Sequence, residues 1–144
     1  PRQNRNIPPL NYQKVYSIKN DFPELEIIIN GGIKDIREAK NHLNYVDGVM
    51  LGRAAYDDPF MLSDIDSEIY ANTKIEISRK DLLTEYLDYV HVMTKKGYDP
   101  KIMLKHVFGL KKGEKDAKRF RVKVAEIMNS SSLVENKDEL LSMV

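Results

Sequence analysis

The sequence predicts an α/β segment followed by an all-α segment, and three observations carry that expectation. Two short apolar runs, Glu26-Ile27-Ile28-Ile29 and Gly48-Val49-Met50-Leu51, each lead directly into a glycine turn. Each run is preceded by a stretch with helical signals, giving the order helix, strand, helix, strand of repeated β/α architecture. After Asp58-Pro59 the pattern changes to helical periodicity, with no strand signal beyond residue 77.

Asn11 is placed to cap a helix from Tyr12 to about Asn20, ended by Phe22-Pro23. The run at 26–29 lacks alternation, which suits a strand buried on both faces of a parallel sheet. Asp35 with Glu38 three residues later resembles a capping box and opens a helix through Asn44. The second strand, 48–51, is closed by Gly52-Arg53. Ser78 starts a long helix through Lys96, with Leu82, Leu83, Tyr86, Leu87, Val90 and Met93 on one face. Asp99-Pro100 is a cap followed by proline at the first helical position, opening a helix to about Phe108. Gly109 and Gly113 flank a lysine-bearing turn. A third helix is expected from about Lys115 to Asn129, burying Ala117, Phe120, Val124, Ile127 and Met128. Ser130 to Ser132 reads as a loop and Asn136 to Met143 as a last short helix. The boundaries predicted are 1–63 for the β/α part, 64–77 for a connector and 78–144 for the helices.

Two β/α units cannot close a barrel or form a well-covered parallel sheet, and their strands leave an unpaired edge. Pro1 to Leu10 (PRQNRNIPPL) is polar and proline-rich, and it reads as a connection inside a larger protein. The expectation is therefore a truncated piece.

Net charge is +1, but it is unevenly distributed. Residues 95–123 hold eleven basic and three acidic side chains, a net of +8, while the flanking stretches are net acidic. Such an excess is a candidate polyanion footprint or, more simply, a solvated helical face. The chain contains no cysteine, so disulfides, thiolate metal sites and cysteine nucleophiles are excluded within it. No apolar run approaches the roughly 18 residues of a membrane span. His42, His91 and His106 have no partners at metal-ligand spacing and read as structural or surface residues, so no metal is expected. The composition fits a soluble, cytoplasmic protein.

Two constellations carry chemistry. Asn30-Gly31-Gly32 follows one strand and Gly52-Arg53 the next, at the carboxyl ends of consecutive parallel strands. Glycine lets an anion approach bare backbone N–H groups, and in β/α barrels the loops after the last two strands commonly build such a phosphate site. A helix start near Ala54 would add free N–H groups, and Arg53 a charge-assisted hydrogen bond. The plain alternative is two tight turns. In the basic stretch, Lys118 and Arg121 are three apart and share a helical face, while Lys111, Lys112 and Lys115 project from the preceding turn. Asp57-Asp58-Pro59 reads as a turn and helix cap.

The segments Asn4 to Tyr12 (NRNIPPLNY), Ile27 to Ile33 (IIINGGI) and Asp47 to Tyr56 (DGVMLGRAAY) resemble the flavin-dependent tRNA-dihydrouridine synthases of the A type. His106 to Leu110 (HVFGL), with the helix that follows, resembles that family's C-terminal module. The likeness weakens over 64–98 and after 128. The resemblance implies the last two β/α units of a truncated TIM-type barrel followed by a C-terminal helical bundle. It implies an enzyme that reduces D-loop uridines of tRNA with FMN as hydride carrier and NADPH as electron source. FMN phosphate would be held by Asn30, Gly31, Gly32, Gly52 and Arg53, and tRNA by Arg2, Arg5, Lys118 and Arg121. At Lys118 the family pattern is arginine; lysine keeps the charge and loses the bidentate fork. The family's catalytic cysteine belongs to the earlier barrel half, a partner absent from this chain, so the chain alone is expected to be inactive. Two other readings stay open: a helical RNA-binding module with a non-catalytic β/α remnant, and a different phosphate-binding barrel.

Overall fold

The computed structural model describes residues 9–130 and 133–144. The first helix, α1 (Tyr12–Asp21), is capped by Asn11, whose Oδ1 accepts from the Lys14 N–H at 3.1 Å. Strand β1 (Ile28–Asn30), helix α2 (Ile36–Leu43) and strand β2 (Gly48–Met50) follow. The strands pair in parallel, Ile28 opposite Gly48 and Asn30 opposite Met50. At α2 the Asp35 carboxylate accepts from the Glu38 N–H, and the Glu38 carboxylate reaches back to the Lys34 N–H, each at 2.8 Å. The Glu38 N–H, one of the orphan donors at that helix start, is thereby satisfied, and the chain just before the cap is tied to the first turn.

The expectation of a strand buried on both faces is corrected. Ile29 is buried at 4% exposure, whereas its neighbour Ile28 is 60% exposed. Successive side chains on a strand point to opposite faces, and α1 and α2 cover one face of this two-stranded sheet. Ile29, Ile33, Ala39 and Val46 form the core there, with Tyr12, Val15 and Tyr16 packed against it.

Beyond β2, the short helix α3 (Arg53–Asp57) leads into a 3₁₀ turn (Pro59–Asp64) and a one-turn helix α4 (Ile65–Glu68). Asp58 is the non-helical residue between α3 and the 3₁₀ turn, at the cap position expected for Asp57-Asp58-Pro59, while the first part of the connector is helical. Proline at the first position of the 3₁₀ turn accounts for the start, because its missing N–H is one that needs no partner there. The exposed residues from 70 to 78 then lead to α5 (Arg79–Lys95), capped by the Ser78 hydroxyl, which accepts from the Asp81 N–H at 3.0 Å. The helix predicted at 99–108 is divided: α6 (Pro100–Leu104) tightens into a 3₁₀ turn (Lys105–Val107) that redirects the chain toward Gly109. Helices α7 (Ala117–Ser130) and α8 (Leu133–Ser142) complete the chain. Ser130 belongs to α7, and the rest of the loop predicted at 130–132 lies outside the described residues. Among the described residues there is no strand after residue 50.

A second core lies among these helices. Leu83, Leu87 and Val90 of α5 meet Leu104, Leu110, Phe120, Val124 and Leu140. Leu82, expected on the same stripe, is 38% exposed and flanks it. Each fully buried large side chain contributes about 1.5–3 kcal/mol of burial, so this is the main hydrophobic investment of the chain.

Phe60 packs against the helical core, and the Arg79 guanidinium lies 3.9 Å above its ring centroid. The same arginine donates from Nε to the Leu110 carbonyl at 2.9 Å and pairs with Glu114 at 3.2 Å. One side chain thus connects the 3₁₀ turn, α5 and the turn before α7.

Candidate phosphate groove and basic surface

The ends of β1 and β2 open onto a groove of about 530 Å³. Asn30, Gly31, Gly32, Gly52 and Arg53 all line it, together with Lys34, Ala54, Asp57 and Lys112. The five residues expected around a cofactor phosphate are therefore neighbours, although twenty positions of chain separate the two glycine turns.

The Gly31-Gly32 turn needs glycine at both positions. Their φ angles are +124° and +74°, in the left-handed half of backbone space. Space makes the same demand at Gly32, where a Cβ would stand 2.6 Å from Leu10 Cδ1 and 2.9 Å from the Tyr12 hydroxyl. Tyr12 donates from that hydroxyl to the Gly31 carbonyl at 2.7 Å. Burial, followed by the charge of Glu38, raises the Tyr12 pKa above the ordinary phenol value, so the donor proton is kept. Behind it, the Tyr12 ring is 4.4 Å from the ring of buried His42, and Tyr16 shares a 2.5 Å hydrogen bond with His42 Nδ1. His42 is a supporting residue behind the loop, matching its structural reading.

Gly52 is a different case. Its φ is negative, at −97°, and a Cβ would meet only Met50 Sδ at 3.9 Å. Helix α3 is five residues long, so the dipole contribution expected from it is small.

A second, smaller groove of about 310 Å³ adjoins the first. It is lined by Tyr56, Asp57, Lys105, Phe108, Gly109, Lys112 and Arg121. Tyr56, 57% exposed, meets His106 edge to face at 5.7 Å. Arg121 is exposed in this groove, whereas Lys118 is exposed on α7 outside it. Arg2 and Arg5 lie outside the described residues. The helical excess of charge is partly internal. Lys111, expected to project, instead donates to the Met143 carbonyl. Lys123 is held by Glu139 at 2.5 Å, and that hydrogen bond is the main reason its pKa is raised.

Reading the sequence alone missed Lys34 as a lining residue of the groove and Tyr12 as the support of the glycine turn. Lys34 stands two residues after the glycine pair, a local signal that was available. Lys112, one of several lysines of the basic stretch in the sequence, lines this groove too, and no local signal marks it out.

Among the described residues no helix is long and apolar enough to cross a membrane. The family model described as Dihydrouridine synthase (Dus) matches residues 1–143. The chain is similar to curated tRNA-dihydrouridine(20/20a) synthases. The protein of Pseudomonas putida is 40% identical over 121 residues, covering 84% of this chain and 36% of the relative. That of Vibrio cholerae is 38% identical over 126 residues, 88% of this chain and 38% of the relative. That of Haemophilus ducreyi is 40% identical over 126 residues, 88% and 39%. The chain thus spans less than two-fifths of the length of these relatives. With the family model matched over residues 1–143, this chain belongs to the dihydrouridine synthase family.

Proposed function

We propose that this chain is the C-terminal portion of an FMN-dependent enzyme that reduces D-loop uridines of tRNA to dihydrouridine with NADPH. In this reading residues 1–63 end a β/α barrel of TIM type, 64–77 connect, and 78–144 form a helical tRNA-binding domain. The observation that carries it is the groove in which Asn30, Gly31, Gly32, Gly52 and Arg53 meet.

The groove suits a phosphate monoester. Glycine at 31 and 32 leaves the backbone N–H groups uncovered, and Arg53 and Lys34 bring positive charge to the same opening. FMN, when bound, carries reducing equivalents from NADPH to the uracil ring. This chain's residues hold the phosphate end and so fix the flavin's position. The Tyr12 hydrogen bond keeps the glycine turn in shape. The basic groove beside it, with Arg121, Lys105 and exposed Tyr56, offers cations and an aromatic face to an RNA strand. The group that protonates the uracil belongs to the barrel half outside this chain, so the isolated chain is inactive. The substrate makes it a cytoplasmic enzyme.

The test is Arg53→Ala in the complete enzyme. Loss of one charged hydrogen bond, about 1.5–3 kcal/mol, lowers FMN affinity roughly tenfold to hundredfold while the glycine turns stay intact. Unchanged flavin occupancy and affinity in the purified variant would show that Arg53 faces elsewhere.

A further inference from the structure

We propose that Lys112 is a ligand of the cofactor phosphate, supplied by the helical part to a site otherwise built at the strand ends. The inference deepens the flavin reading above and rests on it.

Lys112 lies on the turn before α7, far along the chain from Arg53, yet it lines the same groove as Gly31, Gly32, Gly52 and Arg53. Its backbone is held in place from two sides. The Lys112 N–H donates to the Gly109 carbonyl at 2.9 Å. Gly109 in turn lies directly on α3: a Cβ there would stand 2.4 Å from the Asp57 carbonyl oxygen and 2.9 Å from Pro59 Cδ. On the other side, Arg79 holds the Leu110 carbonyl and the Glu114 carboxylate of the same turn. Close backbone packing therefore sets where Lys112 begins, and its flexible stem covers only the last step into the groove.

Charge supports the assignment. A phosphate monoester carries about −1.5 to −2 at neutral pH. Lys34, Arg53 and Lys112 are the cations lining the groove, and Asp57 is the acid there. Among the described residues no ion pair takes up the Lys112 ammonium, whereas its neighbour Lys111 is bound to Met143. Lys112 also lines the adjoining groove with Tyr56 and Arg121, so an RNA phosphate is the competing occupant. The flavin phosphate is favoured because the glycine turn, which carries no side chains of its own, lies on that side.

The experiment compares FMN with riboflavin, which lacks the phosphate, on the complete apo-enzyme. Lys112→Gln should weaken FMN by about three- to tenfold, since water screens an ammonium at an open rim, and leave riboflavin unchanged. Lys112→Arg should keep the preference for FMN. Unchanged FMN affinity in Lys112→Gln, alongside a loss in Arg53→Ala, overturns the proposal and leaves the flavin reading standing. A flattened salt dependence of tRNA binding with FMN unaffected overturns it in favour of RNA. Equal weakening of FMN and riboflavin overturns it as a packing effect. Wild-type enzyme that binds both flavins equally, or neither, removes the phosphate site itself.

Discussion

The Tyr12 hydroxyl donates a 2.7 Å hydrogen bond to the Gly31 carbonyl and stands where a side chain at Gly32 would have to go. The first residue of α1 thus limits both the shape and the composition of the turn after β1. Leu10 reinforces the restriction, since its Cδ1 lies 2.6 Å from where a Cβ at Gly32 would stand.

Tyr12→Phe removes that hydrogen bond and keeps the ring against His42. The expected cost is about 0.5–1.5 kcal/mol, seen as a lower melting temperature of the complete enzyme. FMN affinity should fall with it, because the turn that carries the bare N–H groups is less firmly set. A variant with wild-type melting temperature and flavin affinity would show that packing by Leu10 suffices.

Arg121 and Lys118 share a face of α7 but not a groove. Substituting Arg121 by Ala in the complete enzyme should weaken tRNA binding and reduce the slope of log affinity against log salt by about one. Lys118→Ala should give a smaller loss of affinity with a similar slope change, since an exposed ammonium makes a point contact and lacks the guanidinium fork. Flavin content should stay constant in both. If the salt lines run parallel to wild type while melting temperature drops, the two residues serve packing beside Phe120 and Val124 and leave the tRNA site.

Acid stability has a defined contributor in Asp47. Its carboxylate accepts the Ile27 N–H at 2.8 Å and pairs with Lys19 at 2.7 Å, and in that order these hold its pKa below the usual carboxylate value. A carboxyl group with a lowered folded-state pKa stabilises above its unfolded value of about 3.9, and the effect is lost as pH falls through the folded value. Asp47→Asn should therefore melt earlier than wild type at pH 7, and the difference should close in thermal scans below about pH 4. A difference that persists undiminished into strong acid would assign the effect to shape and not to charge.

The sequence is legible where the physics is local. Asn11, Asp35, Ser78 and Asp99 cap helices through bonds to N–H groups two or three residues ahead, so each start was visible in the sequence. The 3₁₀ turn at Pro59–Asp64 and the one-turn α4 were not, because segments of four to six residues are too short to display a period.

The sequence by itself determined the order of elements, the two glycine turns that follow the strands and the positive region beyond residue 94. Those follow from dihedral preference, capping and charge, which act over a few residues. Tertiary structure alone decided what each lysine of that region meets. Lys111 turns to Met143, Lys123 to Glu139, and Lys112 reaches the glycine groove because Gly109 rests on Asp57. In the sequence these are equivalent cations on one basic stretch. Their roles separate only when the turn before α7 is packed against α3, a contact between residues some fifty positions apart that no local preference encodes.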